Sequence, residues 1–407
     1  MTGNLFDMFT ESSPAPFRVS GATSKIPPAP SVGVMVSIAK IRADFPVLKD
    51  WVYLDNAFVG LMPRQVREGY DRWADEWYNF DVGNRTILDG WLEKAGVVRG
   101  MIASFIGASP KEIAYTMCTG SGLNIVINGT AWEEGDNAVF PEWEHNPLET
   151  HTTRRAGVES RVWKPRDGVF DVSDLEKLVD DKTRLVQVSQ VSYVNGFRAD
   201  LAEVADVAHV HGAKLLVDAT QAVGALRVDY KRDGADYVSV APYKYLMGPA
   251  GLAFLYVDEE SIEGLTPDRT GWKNQIWEGA HAEAPTPADT AEKFEYGTIN
   301  FQGVYALEES LKYLNRLGMD YVEKRVLDNT GYLFERLDEL GKVIWTPHGN
   351  ESPVVSFAQE GAVKLAERLK KRKIKVTGRE AHGSHMRVSA HFYNTRDDID
   401  KLIDAIG

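Results

Sequence analysis

The stretch KLLVDATQAVGALRVDYKRDGADYVSVAPYKYLMGPAG, residues 214–251, decides how the rest of this 407-residue chain is read. Its apolar run Leu215-Leu216-Val217 has the composition of a strand buried on both faces, and it ends on a carboxylate, Asp218. Gln221 follows, and a second run, Tyr237-Val238-Ser239-Val240, leads to Lys244 just ahead of a glycine-bearing turn. An acid at the C-terminal end of one buried strand and a lysine past the end of another fall on the edge where open α/β sheets bind ligands. That pair suits pyridoxal phosphate. A lysine forms a Schiff base with its aldehyde, and a carboxylate holds its pyridine nitrogen protonated.

Strands and helices alternate on either side of this stretch. Strands are expected over 52–57, 113–117, 137–140, 160–163 and 184–188, with helices over 38–47, 63–80, 88–106, 123–129, 172–179 and 201–211. Alternation at this spacing predicts an α/β fold, a mostly parallel sheet covered by helices on both faces. Past residue 304 the pattern changes to helices over 304–317, 320–340, 363–372 and 396–406 with short strands over 354–357, 374–377 and 386–389, a small α+β unit. The expected organisation is a large domain over 56–303, a small C-terminal domain over 304–407, and a segment over 35–55 that packs with the small domain. Residues 1–34 are rich in Pro, Ser, Gly and Ala and lack a basic start followed by an apolar core; a flexible extension is expected there, not a signal peptide.

Several features sit on or near the ligand edge. Cys118-Thr119-Gly120-Ser121-Gly122 joins a strand to a helix, an arrangement that either cradles a phosphate on backbone N–H groups or serves as a plain helix cap. His145 follows the strand over 137–140. The polar loop over 265–289, with Gly271-Trp272, is long enough to form a wall of the site. Val66, Tyr70, Trp73 and Trp77 recur at helical spacing and are read as a core face. Arg198, His382 and His385 are placed outside the first ring around a ligand.

The net charge of −13 argues against nonspecific nucleic-acid binding. The single cysteine, Cys118, excludes an intramolecular disulfide, fits a reducing, cytoplasmic setting and is read as a small buried residue. No apolar run approaches the ~18 residues of a membrane span. No metal is called for, and no GxxxxGK[ST] motif supports a nucleotide P-loop.

Taken together, VDATQ at 217–221, a lysine 26 residues after its aspartate, FEYGTIN at 294–300 and MRVSAHFYNTRDDID at 386–400 resemble the class V aminotransferase branch of fold-type I pyridoxal-phosphate enzymes. That branch includes cysteine desulfurases, kynureninases and isopenicillin-N-epimerase-like proteins, and the resemblance covers residues 38–406. It implies a seven-stranded-type sheet, a small-molecule amino-acid substrate and a homodimer with shared active sites. Lys244 would carry the cofactor and move the α-proton, Asp218 would pair with the pyridine nitrogen, and Gln221 would lie near the phenolic oxygen. His145 would stack on the ring. Gly120, Ser121 and Tyr243 would hold the phosphate, Trp272 would lie at the cofactor's edge, and Thr298 would reach the phosphate of the partner subunit. Arg387 would bind the substrate α-carboxylate, with Asn56 and Ala57 in the loop beside it.

The departures from the branch are informative. Desulfurases carry Ser-x-His-Lys where this chain has Ala241-Pro242-Tyr243-Lys244, and kynureninases carry an aspartate where it has Leu148. The desulfurase cysteine is missing from VTGREAHGSHMRVS, residues 376–389. Amino transfer is the first expectation, on its frequency in the family, and a β-eliminating C–S lyase without a catalytic cysteine is a close second. An epimerase, kynureninase-like cleavage and a catalytically silent binding protein remain further readings.

Overall fold

The computed structural model describes residues 37–80, 87–145, 157–276 and 286–407. The extension expected over 1–34 and the departure at Leu148 lie outside them. Val52–Tyr53 (β1) stands apart from the main sheet and pairs in parallel with Ile374–Lys375. The main sheet has seven strands, Ile113–Thr116 (β2), Asn137–Pro141 (β3), Glu159–Trp163 (β4), Thr183–Ser189 (β5), Lys214–Asp218 (β6), Tyr237–Val240 (β7) and Ala253–Val257 (β8). Their spatial order is β2-β8-β7-β6-β5-β3-β4. Neighbours from β7 to β4 are parallel, and β8 alone runs antiparallel to both its neighbours, β2 and β7. Four of the strands, β2, β3, β7 and β8, are buried along their whole length, as a sheet covered on both faces requires.

Helices flank this sheet: Ile38–Ala43 (α1), Arg64–Tyr78 (α2), Ile87–Ile106 (α3), Thr119–Gly129 (α4), Leu201–Val210 (α5), Phe301–Leu317 (α6) and Met319–Glu339 (α7). Asp200 caps α5, its carboxylate accepting from the Ala202 and Glu203 N–H groups. The small unit is a three-stranded antiparallel sheet, Val355–Ala358 (β11) and Thr377–Arg379 (β13) on either side of His385–Val388 (β14), with helices Ala362–Lys371 (α8) and Arg396–Ile406 (α9). Ile374–Lys375 is β12, and Gln275–Ile276 (β9) with Thr286–Pro287 (β10) forms a separate ribbon. No helix among the described residues is long and apolar enough to cross a membrane.

Three local expectations change. The strand expected over 52–57 shortens to β1, with Asp55 making only a lone bridge to Ser389, because the chain there turns into the site. The helix expected over 172–179 is one turn, Val172–Leu175. Trp77, read as core, is 52% exposed: Val66 is buried beneath α6, but the far end of α2 runs past what covers it.

Three buried clusters hold the described residues, one of them gathering Leu123, Val126, Phe140, Leu216 and Leu255 between α4 and the main sheet, and each buried large aliphatic or aromatic side chain contributes about 1.5–3 kcal/mol. The largest contains Val186, Val217 and Val240, together with Val304, Leu307, Leu314 and Val326 of α6 and α7. The core of the small unit gathers Leu54, Leu333, Phe357, Met386, Val388 and Leu402. Val322 and Val326 of α7 enter the largest cluster while Leu333 and Leu337 enter the small core, so α7 spans both. The N-terminal segment is fixed to the small unit by β1 and by an Arg42–Asp398 ion pair at 2.7 Å.

Candidate active site

Because β5, β6 and β7 are parallel, Ser189, Asp218 and Val240 finish at one edge of the sheet. β2 runs in the same sense, so the start of α4 opens on that edge too. An open cavity lies there, lined by Cys118, Thr119, Gly120, His145, Ser189, Tyr193, Asp218, Thr220, Gln221, Tyr243 and Lys244 among others. Six of the residues picked out by sequence, Gly120, His145, Asp218, Gln221, Tyr243 and Lys244, thus share one pocket.

Lys244 follows β7 on a turn closed by Met247 N–H to the Lys244 carbonyl at 2.9 Å and Gly248 N–H to the Pro242 carbonyl at 2.8 Å. Met247 holds a left-handed φ of 55°, a conformation that non-glycine residues rarely take. His391, buried and pulled down to about 3 by desolvation, is neutral and lies 2.8 Å from the Tyr245 carbonyl, fixing the next residue along. The Lys244 ammonium is pulled down to about 8, first by burial and further by Arg387 and Arg379, with Asp218 opposing. A lysine so placed can lose its proton near neutral pH, as a Schiff-base residue must.

Asp218 is buried, its Oδ1 accepting from the Thr220 N–H at 3.0 Å, and no cation lies within ion-pair distance of it among the described residues. Gln221 spends its Nε2 on the Ala57 carbonyl at 3.0 Å and leaves Oε1 buried without a partner. Beside His145, Glu144 accepts from the Ser189 N–H and hydroxyl, both at 2.6 Å. Burial, aided by Asp218 and opposed by these Ser189 bonds, pushes Glu144 up to about 7. The His145 ring packs edge-on against Tyr193 with centres 5.2 Å apart.

Helix α4 begins four residues earlier than expected, so Thr119, Gly120 and Ser121 form its first turn. N–H groups at such a start have no intrahelical acceptor and present partial positive charge, the donor set that suits a phosphate. Ser121 and Gly122 N–H turn back to the Cys118 carbonyl at 3.0 and 3.3 Å, and Thr119 Oγ1 pairs with Thr220 Oγ1 at 2.7 Å, joining the turn to β6. Gly122 lies where a Cβ would overlap the Ser239 side chain, so α4 packs directly on β7. Cys118, expected to be buried, is exposed and lines the cavity, because β2 stops at Thr116 and the chain emerges before α4.

On the opposite side Asn56 donates to the Ser389 carbonyl at 2.8 Å, and Ala57 N–H donates to Ser389 Oγ at 2.9 Å, both buried in the joint between β1 and β14. Arg387 is almost fully buried and lowered to about 10 by desolvation and by Arg379, against the pull of Asp55. Its Nη1 donates to the Tyr193 carbonyl at 3.0 Å, while Nε and Nη2 have no hydrogen-bond partner. Trp272 is 51% exposed and Thr298 is exposed; neither lines the cavity formed by this chain. Two residues escaped the sequence reading: Tyr193, which links the pocket to Arg387, and Arg379, whose guanidinium lies 5.1 Å from the Tyr193 ring centre.

These features fit pyridoxal phosphate: an unpaired buried carboxylate for a pyridinium, an orphaned Gln221 oxygen, a helix start for a phosphate and a lysine able to deprotonate. The sequence profile described as "Aminotransferase class-V" matches residues 52–402. A probable cysteine desulfurase of Methanothermobacter thermautotrophicus is 31% identical over 89% of this chain and 95% of its own. The uncharacterized aminotransferase YcbU of Bacillus subtilis is 29% identical over 90% and 96%. Among solved structures, the apo cysteine desulfurase of Thermococcus onnurineus superposes with a TM-score of 0.83 at 27% identity, over 91% of this chain and 98% of that one. The fold and pocket are those of a fold-type I pyridoxal-phosphate enzyme. The chain belongs to the class V aminotransferase family.

Proposed function

We propose that the protein transfers the amino group of an amino acid, with Lys244 as the base at the α-carbon. The observation that carries this reading is Lys244 itself, past the end of β7 in one cavity with Asp218, Gln221 and Tyr243, its ammonium lowered to about 8 by burial. When bound, pyridoxal phosphate would accept the substrate nitrogen and delocalise the electrons left by the departing α-proton. Asp218 would hold the pyridine nitrogen protonated, His145 would cover one face of the ring, and Gly120, Ser121 and Tyr243 would orient the phosphate. Arg387 would fix the α-carboxylate through Nε and Nη2, which no hydrogen bond occupies and of which Nη2 stands 3.5 Å from Asp55, a fork that lysine could not reproduce. Lys244 Nζ would take the α-proton, and whether a proton is then returned, and where, or a β-substituent leaves instead decides the reaction.

Relatives described as cysteine desulfurases favour a second reading, β-elimination at a C–S bond. A desulfurase's persulfide chemistry is disfavoured because residues 376–389 hold no cysteine. Incubating the holoprotein with a panel of amino acids separates the readings. Conversion of cofactor to its amine form, with release of a 2-oxo acid, is the outcome for amino transfer. Ammonia with a released thiol would replace it by elimination, and solvent deuterium at Cα without net product by epimerisation.

The protein is further proposed to act as a homodimer. Thr298 is exposed here, as it would be before a partner's phosphate covers it, and the Phe58, Trp77 and Trp272 side chains are each more than half exposed. Sedimentation of the holoprotein at twice 45.3 kDa is the expected result, and a fully active monomer would dismiss it.

A further inference from the structure

The strand pair β13–β14 carries a second cationic position that the roles above leave unused. Its register sets Thr377 opposite Arg387 and Arg379 opposite His385. Residues opposite each other, and residues two apart on one strand, share a face. Thr377, Arg379, His385 and Arg387 therefore project from one side of the small sheet. The other side belongs to Met386 and Val388, which enter the small core, and to Gly378, where a Cβ would overlap the Ala362 backbone. The first side meets Tyr193, which gives its carbonyl to Arg387, its ring face to Arg379 and an edge to the cavity that holds Lys244.

This side carries more positive charge than the chain neutralises. Asp55 is committed to Lys375 at 2.8 Å and to the Thr377 hydroxyl at 2.7 Å, and stands 3.5 Å from Arg387. Among the described residues no acid pairs with Arg379, and its Nε is buried without a hydrogen-bond partner. His385 adds no negative charge; burial lowers it and its Nδ1 lies 2.8 Å from the Gly383 carbonyl. One α-carboxylate satisfies one guanidinium fork. With Arg387 so occupied, a substrate with a neutral side chain would leave the buried Arg379 Nε unmet and its charge uncompensated, whereas an acidic side chain would answer both.

We propose that Arg379 binds an anionic group on the substrate side chain, so that the substrates are amino acids carrying a second acid, a carboxylate or a sulfur oxyacid. This rests on the reading of the pocket as an amino-acid site in which Arg387 holds the α-carboxylate.

The test uses protein incubated with pyridoxal phosphate. Binding of glutarate and succinate is compared with that of butyrate by calorimetry, and turnover of glutamate, aspartate and cysteine sulfinate with that of alanine and norvaline. The wild type should bind the dicarboxylates about 10- to 100-fold more tightly than the monocarboxylate, the worth of one charge-assisted pair. Arg379→Met should erase that preference, raise KM for acidic substrates by a similar factor and leave butyrate binding within about two-fold, and Arg379→Lys should restore part of the difference. Equal binding of both acid classes by the wild type would overturn the proposal, as would equal weakening of both in Arg379→Met. Calorimetry reads the anion preference whether or not the cofactor's visible band forms, so failure of the cofactor reading and failure of this one are separate results.

Discussion

Gly60 lies directly against the carbonyl oxygen of Lys244: a Cβ at Gly60 would overlap that oxygen, and the Gly60 N–H donates to the neighbouring Tyr243 carbonyl at 3.0 Å. The loop after β1 thus presses on the backbone of the candidate Schiff-base residue, and backbone cannot yield as a side-chain tip can. Gly60→Ala should cost about 1–3 kcal/mol of stability by overpacking. It should also slow turnover by roughly ten-fold or more through misplacement of the lysine. Thermal unfolding and saturating turnover measure the two effects, and a variant with unchanged Tm would show that the contact is slack.

The depressed Lys244 makes a signed prediction about pH. Its folded value of about 8 lies below the ordinary 10.5, so between these limits the unfolded chain holds the proton more often and stability rises with pH. Below about pH 8 the folded protein carries a desolvated ammonium. Lys244→Met should therefore be more stable than the wild-type apoprotein at pH 7, by an amount on the order of 3 kcal/mol, with the gap closed by about pH 10.5. A variant less stable than wild type at pH 7 would refute the buried charge.

Glu144 gives the opposite sign. Its folded value of about 7 lies above the ordinary 4.5, so stability falls as pH rises through that window. Glu144→Gln keeps an acceptor for the Ser189 N–H and removes the charge. It should match the wild type near pH 4.5 and gain relative stability up to about pH 7, a trend that pH-dependent urea unfolding can follow. A constant difference across that range would count against it.

Arg387 and the phosphate turn can be separated by what each variant loses. Arg387→Lys should keep the bound cofactor's visible absorbance yet weaken amino-acid binding by about 10- to 100-fold, since an ammonium cannot form the bidentate pair. Gly120→Asp should instead weaken cofactor binding, because it places a like charge where a phosphate would sit. Equilibrium dialysis of cofactor and spectral titration with amino acid distinguish the two.

Asp218, Gln221 and Lys244 were legible because each follows an apolar run whose end can be read from composition, and parallel strands bring such ends to one edge. Arg379 was not. Its place depends on the register of two short strands, joined through His382 at a left-handed φ of 63°, and a one-residue slip would turn it to the other face. Tyr193 was hidden for a different reason: it serves Arg387 through its carbonyl, which every residue has. The spacing of Trp73 and Trp77 put them on one stripe of α2 correctly but could not say how far the covering surface extends. Cys118 followed the usual preference of cysteine for burial until the end of β2 placed it at the cavity mouth.

One covalent link, from Lys244 to the cofactor, is central to the proposed chemistry. Protein incubated with pyridoxal phosphate, reduced with borohydride and digested should yield the cofactor on the peptide that contains Lys244, and Lys244→Ala should abolish both the label and the visible band. A label on another lysine, or a band that persists in Lys244→Ala, would remove Lys244 from the centre of the site.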